Sequence, residues 1–226
     1  MQERAAGGKN CCMNKSKKTL INWFGLLGVV SFISYTLAVI FAPLAYPGYD
    51  WRSQAVSDLS AANAPSLALW NQLSSFYGVA GITCIMMVCI AIQGKCNKVL
   101  RLGIYVFAIM FWVSIVGFTA FPLSGSGNGG ATFQDIMHIA VTAAVVLLSI
   151  VSLILIMIGG YSGKRFISLA VYATIALTLM FVGAIGTGVA PREYFGVFQR
   201  FSNLISVNGF LATLGIYLFM GKLSDG

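Results

Sequence analysis

The most informative property of this sequence is how few charged residues it contains. Only 9% of its 226 residues are Asp, Glu, Lys or Arg, whereas 58% are hydrophobic. A water-soluble domain carries about a quarter charged residues, so the composition excludes an ordinary soluble protein. The apolar runs also lack the alternation of apolar and polar residues that a membrane β-barrel needs. The sequence therefore predicts an all-α bundle of membrane-spanning helices.

Charged residues are absent from six stretches, each long enough to cross a bilayer as a helix. A hydrocarbon core of about 30 Å needs roughly 20 apolar residues in helical conformation. The charge-free stretches are residues 19–49, 59–94, 102–134, 136–163, 166–191 and 201–221. We therefore predict a six-helix transmembrane domain over residues 19–222, with a long outer loop at residues 45–66. A disordered basic tail at residues 1–18 precedes this domain, and residues 223–226 form a short tail after it.

The basic residues are distributed unevenly between the connections of these helices. Of the 14 lysines and arginines, 11 precede helix 1, follow helix 6, or lie between helices 2 and 3 or helices 4 and 5. Only Arg52, Arg192 and Arg200 lie in the other connections. The positive-inside rule then predicts that both termini are cytoplasmic, in a cell membrane that we expect to be a bacterial inner membrane. The net charge of +8 is thereby explained without nucleic-acid binding.

Cysteine and histidine are too few and too scattered for several kinds of site. None of the five cysteines lies in a predicted outer connection, so no disulfide framework is indicated. His138 is the only histidine, whereas catalytic zinc commonly takes three protein ligands, often histidines. We therefore predict neither a metal site nor a cofactor.

The acidic residues of the predicted transmembrane domain all lie on the outer side. They are Asp50, Asp58, Asp135 and Glu193, and His138 is predicted on the same side. Acidic groups near hydrocarbon are costly unless they are paired or hydrated, so their clustering favours a shared polar pocket. The alternative is that these acids merely avoid the lysine-rich cytoplasmic side.

Asp135 and His138 form the sharpest candidate for catalysis. Spaced three residues apart near the start of helix 4, they share one helix face. A carboxylate next to an imidazole can orient the imidazole as a general base. The alternative is structural, because Thr132 and Asp135 have the spacing of a capping box. Ser57, next to Asp58, is a candidate nucleophile or simply a serine that begins a short helix.

The outer arginines are candidates for ligand binding. Arg52, Arg192 and Arg200 have guanidinium groups that can contact phosphate bidentately, and Asp50 and Glu193 lie beside them in sequence. The alternative is that these long side chains extend to lipid headgroups without a specific site.

Four short motifs in this order resemble a known family. They are Pro47-Gly-Tyr49, Ser57-Asp-Leu-Ser60, Phe121-Pro122 and Asp135-x-x-His138. From about residue 20 to 221 the chain resembles the bacterial membrane family labelled domain of unknown function nine-nine-eight, which is similar in plan to the six-helix DRAM/Sfk membrane proteins. The resemblance implies no established reaction.

The resemblance also implies that Ser57, Asp58, Asp135 and His138 are the polar positions of the family. Three function classes follow from the residues and the resemblance together. The first is binding or moving a lipid or small amphiphile, with membrane lipids as the partners. The second is a membrane hydrolase or transferase acting on lipid, in which His138 is the base, Asp135 orients it and Ser57 or a water is the nucleophile, with Asp58 a further catalytic candidate. The third is a scaffold or subunit without a site.

Overall fold

A computed structural model describes residues 18–125 and 132–223 of the chain. These residues form six helical spans long and apolar enough to cross a membrane, with no β-strand among them. The predicted tails therefore lie outside the described residues, except for Lys18 and Leu223. Spans 1 to 6 are Leu20–Ala45, Leu67–Ala91, Lys98–Ala120, Phe133–Tyr161, Lys164–Val189 and Arg192–Phe219.

The all-α class and the six predicted spans are confirmed. The α-helices are α1 Leu20–Phe24, α2 Leu26–Phe41, α3 Leu67–Leu73, α4 Tyr77–Ala91, α5 Lys98–Ala120, α6 Phe133–Tyr161, α7 Ile167–Val189, α8 Phe195–Arg200 and α9 Gly209–Phe219. Prolines mark the outer ends of three spans: Pro43 lies in the 3₁₀ turn after α2, Pro122 follows α5, and Pro191 follows α7. Proline lacks the N–H that a continuing helix needs, so each span ends close to its proline.

Both ends of the described chain lie at the same end of the bundle. The side-chain amide of Asn22 donates to the carbonyl of Leu218 (2.8 Å), and Lys18 Nζ lies 3.1 Å from the centre of the Phe219 ring. Arg165, between α6 and α7, donates to the carbonyl of Lys222 (3.1 Å). We call this the basic end, and the opposite one, with the outer loop, the acidic end. The cytoplasmic location of the basic end stays a prediction.

Small residues bring the first and last spans into backbone contact. A Cβ atom on Gly215 would collide with the carbonyl oxygen of Gly25, and one on Gly28 would lie 3.4 Å from the Cα of Gly215. Lipid chains are as apolar as the side chains, so close van der Waals packing replaces the hydrophobic effect between spans. These glycines therefore set the distance between span 1 and span 6.

Span 6 is irregular where the sequence predicts an ordinary helix from Phe201 to Met220. A π-helix at Phe201–Asn208 lies between α8 and α9. The side-chain amide of Asn208 donates to Asn203 Oδ1 (2.9 Å) and to the Asn203 carbonyl (3.3 Å), across the five-residue separation of a π-helical turn. Polar side chains thus stabilise the wider turn. The periodicity of apolar residues in the sequence does not indicate it.

We expect Gly215→Ala to lower the free energy of unfolding by about 1–3 kcal/mol, because the added methyl group forces two backbones apart. The matched control is Gly188→Ala in α7, where a Cβ meets nothing within 4 Å. Thermal unfolding in detergent, followed by tryptophan fluorescence, measures both variants. Equal midpoints for the two alanine variants would contradict the assigned contact between spans 1 and 6.

Candidate functional site

Arg200 joins the outer loop to span 6. Its Nη1 donates to the carbonyls of Trp51 (2.7 Å) and Gly196 (2.7 Å), with a longer bond to the carbonyl of Gln54 (3.3 Å). Its Nη2 donates to the hydroxyl of Tyr49 (2.8 Å). A planar guanidinium has five donors in a fixed arrangement, so one side chain holds several points of a loop at once. We call this arrangement the loop clamp.

Backbone groups complete the loop clamp. The N–H of Gly196 donates to the carbonyl of Arg52 (2.6 Å), and the N–H of Val56 donates to Gln199 Oε1 (2.8 Å). A Cβ atom on Gly196 would collide with the carbonyls of Gln54 and Trp51. Only glycine therefore allows α8 to approach the loop this closely.

Asp50 stabilises the loop itself. Its carboxylate accepts hydrogen bonds from the hydroxyl of Ser53 (2.7 Å) and the N–H of Arg52 (3.1 Å). The hydroxyl of Ser53, followed by the Arg52 N–H, holds the pKa of Asp50 below its usual value. Asp50 is exposed, and both of these hydrogen-bond donors belong to residues of its own turn.

Asp58 and Tyr49 are residues of the same loop whose side chains are buried or half-buried. Asp58 is 6% exposed and accepts a hydrogen bond from the N–H of Ala55 (3.0 Å), at the start of the 3₁₀ turn Val56–Ser60. The Tyr49 hydroxyl donates to the carbonyl of Ala55 (2.9 Å). Burial raises the pKa of Tyr49 above its usual value, although Arg200 opposes that shift. Tyr49 therefore stays a neutral donor at physiological pH.

Asp135 is fully buried at the start of α6, and its carboxylate is saturated. It accepts from the N–H and hydroxyl of Ser124 (2.8 and 2.7 Å) and from the N–H and hydroxyl of Thr132 (3.2 and 2.9 Å). The hydroxyl of Thr132 in turn accepts from the N–H of Asp135 (3.2 Å). The capping-box interpretation is confirmed. Asp135 therefore stabilises the connection between α5 and α6 through Ser124 and Thr132.

His138 has a different partner from the one that the catalytic hypothesis gives it. Its Nδ1 lies 2.9 Å from the carbonyl oxygen of Phe121, and its ring packs at 4.9 Å against Phe118. A carbonyl only accepts, so Nδ1 carries the proton and Nε2 is the nitrogen available for other chemistry. Among the described residues there is no hydrogen bond between Asp135 and His138. Phe121, not Asp135, orients the imidazole.

A family comparison adds to this geometry. A family model described as protein of unknown function (DUF998) matches residues 28–217. The chain belongs to this family. No curated protein and no solved structure matches it. The predicted family is therefore confirmed, while the similarity to DRAM/Sfk proteins stays a prediction.

In this DUF998 protein the predicted site residues separate into two groups. The first group contributes to the outer loop or its clamp: Asp50, Arg52, Asp58 and Arg200. The second group, Asp135 and His138, belongs to the start of α6. A backbone bond from the N–H of Ala62 to the carbonyl of Leu123 (2.8 Å) links the two regions.

The remaining candidate residues, Ser57, Arg192 and Glu193, lie in two 3₁₀ turns. Ser57 is half-buried in the 3₁₀ turn beside Asp58, and Arg192 and Glu193 are exposed in a 3₁₀ turn before α8. Over residues 18–125 and 132–223, no group of three His, Cys, Asp or Glu side chains could hold a metal ion.

Sequence reasoning missed several residues that build this end of the DUF998 bundle. Tyr49 is part of the Pro-Gly-Tyr motif, but nothing in the motif indicates that its hydroxyl meets Arg200. Ser124 lies in a glycine-rich stretch that predicts only a turn. Gly196 interrupts an aromatic, amphipathic segment, and that interruption is the one available signal of a close backbone approach.

We expect Arg200→Lys to release the outer loop. A lysine ammonium cannot reach Tyr49 and the loop carbonyls together, so we expect a loss of about 1–3 kcal/mol in the clamp. Hydrogen exchange at the N–H groups of Val56 and Gly196 should then accelerate by about tenfold or more, because both groups bond across the clamp.

The matched control for this experiment is Arg192→Lys, which preserves charge at an exposed position outside the clamp. Exchange at Val56 and Gly196 should be unchanged in that variant. Unaltered exchange in Arg200→Lys as well would show that Arg200 does not hold the loop.

Proposed function

We propose that this DUF998 protein binds an anionic amphiphile at the acidic end of the bundle, with Arg52 and Arg192 contacting the headgroup. The observation that carries the proposal is the bond from the N–H of Gly196 to the carbonyl of Arg52 (2.6 Å). This bond holds Arg52 next to α8, which immediately follows the 3₁₀ turn Arg192–Tyr194. Both arginines are exposed, and they lie in chain segments that this bond brings together.

The hydrogen bonds of the neighbouring acids support this proposal. The carboxylates of Asp50, Asp58 and Asp135 all accept hydrogen bonds from their own chain. Glu193 is the one exposed acid in the same turn as Arg192. Counted with Asp50 and Glu193 the surface has no net charge, so the support for an anionic headgroup is the bidentate geometry of the two guanidinium groups.

Aromatic residues support a position for this surface at the depth of lipid headgroups. Trp51 is 50% exposed and Tyr194 is 46% exposed, and each adjoins one of the arginines or its turn. The guanidinium carbon of Arg52 lies 5.8 Å from the centre of the Trp51 ring. Tryptophan and tyrosine concentrate at the membrane interface because one part of each ring is apolar and another is polar.

The test uses dihexanoyl phosphatidylglycerol, a soluble anionic amphiphile, titrated into the detergent-purified protein by calorimetry. We expect the double variant Arg52→Gln, Arg192→Gln to bind at least about tenfold more weakly, since each cation near a headgroup contributes about 1 kcal/mol. Lys98→Gln, at the basic end, is the control for a general loss of charge. Wild-type affinity in the double variant would refute the proposal and favour a scaffold without this site.

A hydrolase or transferase is the second candidate function. Its support is the tautomer of His138, whose Nδ1–H faces the Phe121 carbonyl and leaves Nε2 as the acceptor. Mass spectrometry of the titrated lipid distinguishes this candidate from binding alone. Lipid cleavage or exchange that disappears in His138→Gln would favour the enzyme, and unchanged lipid would favour binding.

We further propose that the acidic end faces the cell exterior and the basic end the cytoplasm, in a bacterial inner membrane. The distribution of lysines and arginines supports this orientation. In a cysteine-free background, Ser53→Cys should react with an impermeant maleimide added to intact cells, whereas Lys98→Cys should react only after lysis. Reversed labelling would place the loop clamp in the cytoplasm.

A further inference from the structure

Hydroxyl side chains in the spans commonly bond to their own helix. Thr36, Thr83 and Thr119 each donate to the carbonyl four residues earlier (2.7 Å). Such a bond offsets the cost of placing a hydroxyl group in hydrocarbon. Ser206 and Asn208 differ, because their buried Oγ and Oδ1 atoms have no hydrogen-bond partner among the residues that the structure describes. Both belong to the π-helix of span 6.

Asn208 is 1% exposed, and only part of its amide is satisfied. Its Nδ2 donates to Asn203 Oδ1 (2.9 Å), whereas its own Oδ1 accepts no hydrogen bond within the described chain. An amide oxygen without a donor is costly in hydrocarbon, so buried polar atoms nearly always have a partner. The oxygen therefore has the capacity for a donor at a depth where the protein is otherwise apolar.

Two hydroxyl groups from neighbouring spans face Asn208. The hydroxyl of Tyr77, in α4, interacts with the side chains of Ser114, in α5, and of Asn208. Ser114 is buried as well. We call Tyr77, Ser114 and Asn208 the interior polar cluster. Since Oδ1 has no direct hydrogen bond within this cluster, its polar contacts are of the kind that a water molecule bridges.

The interior polar cluster lies below the loop clamp, inside the bundle. The ring of Tyr77 packs against that of Tyr35, with centres 4.6 Å apart, and Tyr35 packs in turn with Val56. The N–H of Val56 bonds across the loop clamp. Asn208 is eight residues beyond Arg200, which is no more than about 12 Å along the helix axis. The cluster therefore continues inward from the acidic end.

We propose that the interior polar cluster binds water within the membrane-spanning bundle. The water donates to Asn208 Oδ1 and bonds with the hydroxyls of Tyr77 and Ser114, each of which can donate or accept. Three partners are typical of a buried water. The cluster contains no carboxylate and no cation, which suits a neutral ligand better than an ion. The water also stabilises the π-helix, because it allows Asn208 to remain buried.

Ser206 provides a matched control. It belongs to the same π-helix and its hydroxyl also lacks a partner among the described residues, but it lines a groove against Tyr172 and Ile175 of α7. Ser206→Ala removes an unsatisfied polar atom without touching the interior polar cluster. Asn208→Leu, which replaces the amide by an apolar group of similar size, removes the proposed acceptor. The two variants separate loss of the water site from a general change in the π-helix.

The experiment is X-ray hydroxyl-radical footprinting of the full chain in detergent. The pulse forms radicals from water, these oxidise adjacent side chains, and mass spectrometry measures the oxidation of each residue. We expect Tyr77 to be oxidised faster than Phe107 and Phe210, whose rings pack against each other in the core. Asn208→Leu should lower the oxidation of Tyr77 about fivefold, because one hydrogen bond to the water is lost. Ser206→Ala should leave it unchanged.

Three outcomes would overturn the proposal. Oxidation of Tyr77 no faster than that of Phe107 would mean that no water is bound there. Unchanged oxidation in Asn208→Leu, with an unfolding midpoint near that of wild type, would exclude Asn208 as a ligand. An equal decrease in Ser206→Ala would assign the effect to the π-helix as a whole.

Ser114→Ala provides a second test should Asn208→Leu fail to fold. It removes a hydroxyl of the interior polar cluster from α5 and leaves span 6 unaltered. We expect lower oxidation of Tyr77 in this variant, and unchanged oxidation would refute the site. The Arg52→Gln, Arg192→Gln variant should behave as wild type, so the result does not depend on the surface proposed at the acidic end.

Discussion

The arrangement of the acidic end depends on the guanidinium of Arg200. The loop between spans 1 and 2 is the longest connection that the structure describes, and its middle has no secondary structure beyond one 3₁₀ turn. Arg200 gathers the Tyr49 hydroxyl and carbonyls from both sides of Arg52, and the contact closes because Gly196 has no side chain. The positions of Arg52 and Asp58 follow from this contact.

Asp50, Asp58 and Asp135 are structural for one physical reason. A carboxylate near hydrocarbon needs several donors to offset its lost hydration, and the donors nearest in the chain are backbone N–H groups and hydroxyls. Asp135 reaches saturation with four such bonds from Ser124 and Thr132. An acid held this way is a poor partner for an imidazole, and His138 bonds to a carbonyl instead. Our proposal therefore assigns the contact with an external molecule to the exposed cations.

The sequence predicts those features that depend on neighbouring residues. Charge-free stretches predict the six spans, and the three-residue spacing of Thr132 and Asp135 predicts the cap. The clamp is different, because Arg200 and Trp51 are 149 residues apart and no local pattern connects them. The π-helix is equally hidden, since it rests on one side-chain contact between Asn203 and Asn208. Long-range polar contacts inside an apolar bundle leave no periodic signal.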